Sequence, residues 1–338
     1  MEETFLKIIV DVMGGDYSPN EIVIGALNVL KQREDLTIIF YGDKNQIENV
    51  ISEQEQVPNR YEIVHTSSVI SCCDAPVEAI RTKTDSSIVC ALSRLKEDSE
   101  IQGLVSAGST GAVLTGAVLK VGRIKGVKRP ALAPLFPTFS GGEVMVLDAG
   151  ALMDADEHNL VQFALMGNAF MKSVKKIDNP RIALLNVGME EEKGNALTKK
   201  AHAMLKELDI NFVGNCEARE LLSGEYDVIV CDGFAGNVLT KGVEGAVGYL
   251  MKMIKQSVTK NAFRKAGALM LKGAFDDVKT KMDVSKIGGA PLLGTSKIVL
   301  KAHGNSKAKN IESAVKQVVE FIEADLVDKI QACMEEGK

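Results

Sequence analysis

A chain of 338 residues with 46% hydrophobic and 25% charged residues has the length for a large core, with room for two lobes, and the composition of an ordered soluble protein. Trp is absent, aromatics are 5% and the formal net charge is -5, which argues against a stacking platform for single strands and against a duplex-binding role, so no nucleic acid partner is expected. Six cysteines (Cys72, Cys73, Cys90, Cys216, Cys231, Cys333) match no zinc spacing and form no Cys-x-x-Cys pair; Cys216 and Cys231 lie in apolar runs and read as small core residues. The acidic start, Met1 to Lys7, does not resemble a secretory signal, and a reducing cytoplasm is the expected compartment.

In chain order, Lys7–Met13 reads as a strand ending in Gly14-Gly15-Asp16, with a helix from Glu21 to Gln32. Leu36–Tyr41 is a second strand, followed by Gly42-Asp43 and a helix carrying Ile47 and Val50. Tyr61–His65 is a third, and a helix begins at Ala75-Pro76, with Pro near its first turn. Ile101 to Leu119 lacks any charge and is nearly long enough to span a bilayer, but its Gly, Ser and Thr content predicts a strand, a turn at Ser106–Gly111 and a buried helix from Ala112 to Val121. Glu143–Asp148, Arg181–Val187 and Ile210–Val213 continue the strands, and a helix face follows at Leu160 to Met166. Repeated strand, glycine loop and helix predict a largely parallel sheet between helices, with ligands outside the carboxyl ends of the strands.

The stretch Tyr226–Glu244 states this grammar most fully. Val228–Cys231 is an apolar, β-branched strand, and Asp232 to Asn237 reads as a loop with freedom from Gly233 and Gly236. A helix is predicted from Val238, where apolar residues take up helical spacing. Such a loop can present backbone N–H groups to an anion.

From Ala246 to Phe275 the chain changes character, carrying Lys252, Lys255, Lys260, Arg264, Lys265 and Lys272 without an acidic residue. Leu250, Ile254, Val258, Ala262 and Ala266 keep helical spacing, so a basic amphipathic helix or hairpin is expected, projecting over 246–283. It suits an acidic protein or an anionic membrane surface, or else packs on the core or a second subunit with a solvated basic face. No proline- or serine-rich linker interrupts the chain, which predicts one catalytic unit over 1–338 with interwoven lobes.

Several familiar motifs are missing: a dinucleotide fingerprint, a complete P-loop, a Gly-x-Ser-x-Gly elbow and a His-Glu-x-x-His site. Gly289 to Gly294 has P-loop glycine spacing without the lysine and reads as a tight turn. His65, His158, His202 and His303 are scattered, and Asp148, Asp154 and Asp156 suit capping or solvation better than a metal, so neither a metal nor a cofactor is expected. Lys193, in Glu190–Asn195, can neutralise an anion at a strand end. Together the glycine loops suggest a site for a small anion such as phosphate.

The motifs resemble one family closely, the bacterial phosphate acyltransferases of the PlsX type. The resemblance runs through Val10–Asp16, Asp85–Ser87, Ser106–Gly111, Arg129–Ala133 and Leu184–Gly188 with Lys193-Gly194-Asn195. It continues through Gly214–Glu217, Asp232–Asn237, Gly288–Gly294 and Lys301–Gly304. The resemblance implies a three-layer α/β/α fold like the isocitrate and isopropylmalate dehydrogenases, with intertwined lobes, and a homodimer. It implies acyl transfer from acyl carrier protein to inorganic phosphate, feeding phospholipid synthesis, at a cytoplasmic enzyme in peripheral contact with the membrane. Three positions depart from the family pattern: Tyr17 replaces His, Ser109 replaces Asn and Leu152 replaces Asn, while Asp16, Lys193, Asp232 and Asn237 remain.

On this reading phosphate attacks the thioester directly. Lys193, Asp232 and Asn237 are the catalytic candidates, with Asn237 an amide donor and Asp232 orienting it or Lys193. Asp16, Gly108, Ser109, Thr110, Gly111, Gly233 and Gly236 are the phosphate-binding candidates, and Lys252, Lys255, Lys260, Arg264 and Lys265 form the partner or membrane surface. Alternatives are a phosphate acetyl- or butyryltransferase using coenzyme A, a metal- and nicotinamide-dependent dehydrogenase, disfavoured by the missing fingerprint, and a non-enzymatic membrane scaffold.

Overall fold

A computed structural model describes residues 5–275 and 288–336. The first half contains β1 (Leu6–Asp11), α1 (Asn20–Gln32), β2 (Leu36–Gly42), α2 (Lys44–Ser52), β3 (Tyr61–His65), α3 (Pro76–Thr82), α4 (Ser87–Glu97), β4 (Ile101–Ser106), α5 (Thr110–Gly116), β5 (Ala131–Leu132), β6 (Leu135–Pro137), β7 (Glu143–Leu147) and α6 (Glu157–Ser173). It is followed by β8 (Ile182–Asn186), α7 (Ala196–Lys206), β9 (Phe212–Glu217), β10 (Val228–Val230), α8 (Gly233–Val258), α9 (Ala262–Met270), β11 (Gly289–Leu293), β12 (Ile298–Ala302), α10 (Ala308–Glu323) and α11 (Leu326–Glu336). Two compact units divide the chain: the first takes Met1–Pro134, Leu165–Asn179 and Ser285–Lys338, the second Leu135–Ala164 and Pro180–Val284. The part of the expected basic segment at 276–283 lies outside the described residues.

The first unit is built on a seven-stranded sheet in the order β3-β2-β1-β4-β12-β11-β5. From β3 to β12 every pairing is parallel, and β11 is antiparallel to both its neighbours. Successive side chains of a strand point to opposite faces, and β12 is buried at all five positions while β1, β2 and β4 have one half-buried position each, so both faces of the sheet are covered. Helix α10 crosses β4 where a Cβ on Gly103 would lie 2.4 Å from Val318 Cγ1, and crosses α1 where a Cβ on Gly25 would lie 2.4 Å from the Ala308 carbonyl oxygen. The uncharged run at 101–119 resolves into β4 and α5, the helix finishing in a π-type turn over Ala117–Val121. Among the described residues no helix is long and apolar enough to cross a membrane.

The second unit has a five-stranded sheet in the order β6-β7-β10-β8-β9, parallel apart from β6. Its core joins Phe136, Val144, Val146, Ala183, Cys216, Tyr226, Ile229 and Cys231, with Leu239 and Val243 of α8 packed against it. The start of the central strand is stapled to its neighbour: Arg181 donates from its backbone N, Nε and Nη2 to the Asp227 carboxylate at 2.7, 3.0 and 2.8 Å. The architecture is the expected α/β fold with largely parallel sheets.

Two local expectations are corrected. Gly289–Leu293 is a strand, not a turn; the turn begins at Gly294 (φ +93°), whose left-handed backbone favours glycine. Helix α8 begins at Gly233 instead of Val238, so five residues read as a flexible loop are helical. Neither Gly233 nor Gly236 has a positive φ. They are glycines because the helix touches its neighbour: a Cβ on Gly236 would lie 1.9 Å from the Asp148 carbonyl oxygen, and one on Gly233 2.5 Å from that of Leu152.

Candidate functional site

In the second unit three loops leave the same edge of the sheet. Val230 of β10 lies level with Leu147 of β7 and Leu184 of β8, so the segments after Leu147, Val230 and Leu184 leave the carboxyl ends of adjacent parallel strands. This is where α/β sheets bind ligands.

The loop after β7 is wound around Asp148. That side chain has no exposed surface, and its carboxylate accepts from the N–H groups of Gly150, Ala151 and Leu152 at 2.6 to 3.1 Å. Asp148 is thus neither a solvated residue nor a helix cap, as the sequence suggested, but the post that shapes the loop; Asp156 does cap, accepting from Asn159 N at 2.7 Å. The wound loop rests on the first turns of α8: Leu152 O accepts from Gly233 N at 2.9 Å, and Ala149 O accepts from Asn237 Nδ2 at 3.4 Å. Gly150 (φ +127°) allows this contact, since a Cβ there would lie 2.7 Å from Asn237 Nδ2.

Asp232 is the N-cap of α8, its Oδ1 accepting from Ala235 N at 2.8 Å. The side chain expected to orient Asn237 or Lys193 therefore holds the helix start, and reaches Asn237 only through that helix. Gly233 N donates to Leu152 O and Gly236 N to Asp232 O, so neither glycine keeps an amide donor for an anion, and among the described residues the uncommitted N–H of the first turn is that of Phe234. Asn237 is half-buried, and its side-chain amide makes one long bond among the described residues, which leaves one amide N–H and the amide oxygen uncommitted there.

The loop after β8 is pinned from within. Asn186 Nδ2 donates to Lys193 O at 3.2 Å and Asn215 Nδ2 to Glu190 O at 2.7 Å, while Asn195 caps α7 through Thr198 N at 2.9 Å. The stem of Lys193 lies over Gly188, where a Cβ would be 3.1 Å from Lys193 Cγ. Its ammonium is exposed and makes no hydrogen bond or ion pair among the described residues. Backbone is fixed and charge is free, an arrangement suited to meeting a mobile anion.

In the first unit, the loops after β1, β4 and β12 leave neighbouring parallel strands. Asp16 and Tyr17 are exposed; Asp16 N donates to Gly304 O at 2.8 Å, and Lys307 Nζ lies 5.3 Å from the centroid of the Tyr17 ring. Gly108 N donates to Ser106 Oγ at 3.1 Å, whereas the N–H groups of Ser109, Thr110 and Gly111 are uncommitted among the described residues. Gly111 abuts α3, a Cβ there falling 2.6 Å from Pro76 Cγ. Of the three departures from the family pattern, Leu152 serves through its backbone, and the Ser109 side chain makes no capping bond. The sequence reading missed Asp11, Ser106 and Lys301, all buried at the ends of β1, β4 and β12. Each was visible as a polar residue closing an apolar run.

Beyond Thr240 the helical pair α8–α9 is largely exposed. Lys252, Lys255, Lys260, Arg264 and Lys265 are all exposed, and so are Tyr249 (71%), Met253 (63%), Phe263 (89%) and Met270 (88%). Within this chain, apolar and basic side chains share one solvent-facing element, and among the described residues the stripe does not pack on the core beyond Val243.

Residues 6–329 match the profile of the family described as fatty acid synthesis protein. The phosphate acyltransferase of Thermoanaerobacter pseudethanolicus is 44% identical over 326 residues, covering 96% of each chain, and that of Brevibacillus brevis is 42% identical over 332 residues, covering 98% of each. Among solved structures, a phosphotransacetylase from Streptococcus pyogenes matches with a TM-score of 0.62 at 17% identity, covering 96% of both chains. A branched-chain phosphotransacylase from Enterococcus faecalis matches with a TM-score of 0.56 at 13% identity, covering 94% of this chain and 99% of that one. These two likenesses speak for the fold alone. The near full-length sequence matches carry more: the chain belongs to the phosphate acyltransferase family of the PlsX type and is an acyltransferase.

Proposed function

We propose that the protein transfers a fatty acyl group from acyl carrier protein to inorganic phosphate, by direct attack of phosphate on the thioester. The observation that carries this reading is the presence, on loops leaving one edge of the second unit's sheet, of an exposed ammonium at Lys193, unpartnered among the described residues, and of the partly committed amide of Asn237. Lys193 attracts phosphate, and the Phe234 N–H and the positive end of α8 add to that field. A phosphate oxygen forms a bond to the thioester carbonyl carbon, and the spare Asn237 N–H stabilises the resulting oxyanion. The C–S bond then breaks, giving acyl phosphate and the carrier thiol. Asp232 is a positioning residue, since it fixes the helix that carries Asn237.

A covalent acyl-enzyme finds no support at these loops. Cys231 lies at their base, but it is buried, its Sγ donates to Asp148 O at 3.3 Å, and burial, with the Asp148 and Asp232 charges, pushes the thiol well above its ordinary range. Phosphate is itself a competent nucleophile and the thioester is activated, so positioning and oxyanion stabilisation suffice.

In the first unit the uncommitted N–H groups of Ser109, Thr110 and Gly111, with Gly108 and Asp16 shaping the loops, form a second set of donors proposed for phosphate. The exposed basic and apolar side chains of α8 and α9 suit an anionic membrane surface, consistent with a cytoplasmic enzyme in peripheral contact with lipid, and a homodimer is the proposed assembly. The fold likeness to phosphotransacetylases keeps a second reading in view, in which coenzyme A carries the acyl group.

The test follows phosphate-dependent release of free carrier from acyl-carrier protein, with acyl-coenzyme A as the competing donor. Turnover with the carrier substrate supports the proposal, and turnover with acyl-coenzyme A alone replaces the donor. Lipid binding without turnover on either donor overturns the reaction.

A further inference from the structure

Asp11, Ser106 and Lys301 stand in one register row across three adjacent parallel strands: Asp11 pairs with Ser106, and Ser106 with Lys301. Residues level across a sheet point to the same face, so the three side chains lie side by side. They are 2%, 0% and 8% exposed. A carboxylate and an ammonium in such a place oppose folding unless paired and hydrogen-bonded, and apolar residues of similar size would pack there at lower cost.

The bonds of the row lead outward to the loops. Ser106 Oγ donates to Asp11 Oδ2 at 2.6 Å and accepts from Gly108 N at 3.1 Å, and Asp11 Oδ1 accepts from Met13 N at 3.3 Å. One hydroxyl thus ties the loop after β1 to the loop after β4. The two loops interlock at glycine: a Cβ on Gly14 would lie 2.4 Å from Gly108 N. On the far side, Lys301 Nζ donates to Ala302 O, and the chain continues to Gly304, whose carbonyl accepts from Asp16 N at 2.8 Å. Burial pushes the Asp11 carboxyl above its ordinary range, opposed by hydrogen bonds from Ser106, Ser87 and Met13 N–H and by the charge of Lys301. With no exposed surface, Ser106 cannot meet a substrate.

We propose that Asp11, Ser106 and Lys301 are positioning residues, a buried polar row that holds the loop Gly14–Asp16 against the segment Ala107–Gly111 in the one arrangement that presents the backbone N–H groups of Ser109, Thr110 and Gly111 to phosphate. The proposal rests on the reading of these loops as phosphate-binding. Without the row, the loops would still be covalently in place but free to separate at the Gly14–Gly108 contact.

The test compares Ser106→Ala with Ser106→Thr, and Lys301→Met with Lys301→Arg, by steady-state kinetics in inorganic phosphate and by hydrogen–deuterium exchange. The expected result for Ser106→Ala is a KM for phosphate raised about tenfold or more, with the KM for the acyl donor unchanged, and recovery of most of the loss in Ser106→Thr, which keeps the hydroxyl. Exchange is expected to quicken at residues 12–16 and 106–111 in Ser106→Ala and Lys301→Met while β1 and β4 stay protected. Unchanged exchange at both loops, or equal rises in both KM values, overturns the proposal. The exchange readout does not depend on turnover: quickened loops in an enzyme without phosphate-dependent activity would sink the functional reading and leave the row as a loop-holding device, whereas unchanged loops in an active enzyme would sink the row.

Discussion

The two units treat the carboxyl ends of their strands differently. In the first, Asp11, Ser106 and Lys301 are buried within the sheet and bound to one another or to nearby backbone. In the second, a buried charge at this edge is Asp148, held by three backbone N–H groups, and the cation Lys193 stands in solvent without a partner among the described residues. A paired charge holds structure, while an unpaired charge on fixed backbone is available to a ligand. The contrast teaches that the candidate chemistry in this chain is found where a polar group is positioned but not satisfied.

The strongest way to break that contrast is to remove the free groups. Lys193→Ala and Asn237→Ala are each expected to lower phosphate-dependent turnover by about 10²- to 10³-fold, the usual loss of an oxyanion or anion contact, measured as kcat/KM for phosphate. Because Lys193 is exposed, its replacement should shift stability by no more than about 0.5 kcal/mol, checked by thermal unfolding. Gly236→Ala attacks the scaffold instead. A methyl 1.9 Å from Asp148 O must drive α8 from the β7 loop, and a loss of about 1–3 kcal/mol is expected in denaturant unfolding, with activity falling as Asn237 moves.

The satisfied charges should declare themselves through pH. Burial acts to raise the Asp227 carboxyl, but the hydrogen bonds and charge of Arg181 outweigh it and hold the group below its ordinary value. A carboxylate with a depressed folded-state pKa contributes stability that is present above its unfolded value, about 3.9, and is lost as pH falls through the folded value. Unfolding followed from about pH 5 down to about pH 2 should therefore show an acid-labile contribution that Asp227→Asn removes. The smallest expected effect is at Gly245, where a Cβ would meet nothing within 4 Å. Gly245→Ala should stabilise α8 by up to about 1 kcal/mol if that face is open in solution. Destabilisation at this position would show that a second subunit covers it.

Much of the scaffold was legible in the sequence because the parallel strands are written largely as apolar runs. Val228–Val230, Ile182–Asn186 and Tyr61–His65 were placed within a residue or two. The antiparallel β11 was not, since Gly289 and Pro291 carry turn signals inside what pairing with β12 makes a strand. The start of α8 was missed for a related reason. Gly233 and Gly236 suggest backbone freedom, but they answer a close approach by the loop of Asp148, a contact between segments far apart in the chain that no local pattern reports. Lys193 and Asn237 could be nominated from sequence, yet whether each is satisfied depends on neighbours supplied by other strands, such as Ala149 O for Asn237. Asp11, Ser106 and Lys301 lie in motifs that carry the family resemblance but were not nominated as site residues, because only the register reveals a row.

The central claim is that phosphate itself is the acyl acceptor at Lys193 and Asn237. It is tested most directly by release of free carrier from acyl-carrier protein as phosphate is titrated, in the wild type and in the two alanine variants. The account predicts saturable, phosphate-dependent release in the wild type and a loss of about 10²-fold or more in each variant. Wild-type release that ignores phosphate, or variants that turn over at the wild-type rate, would contradict it.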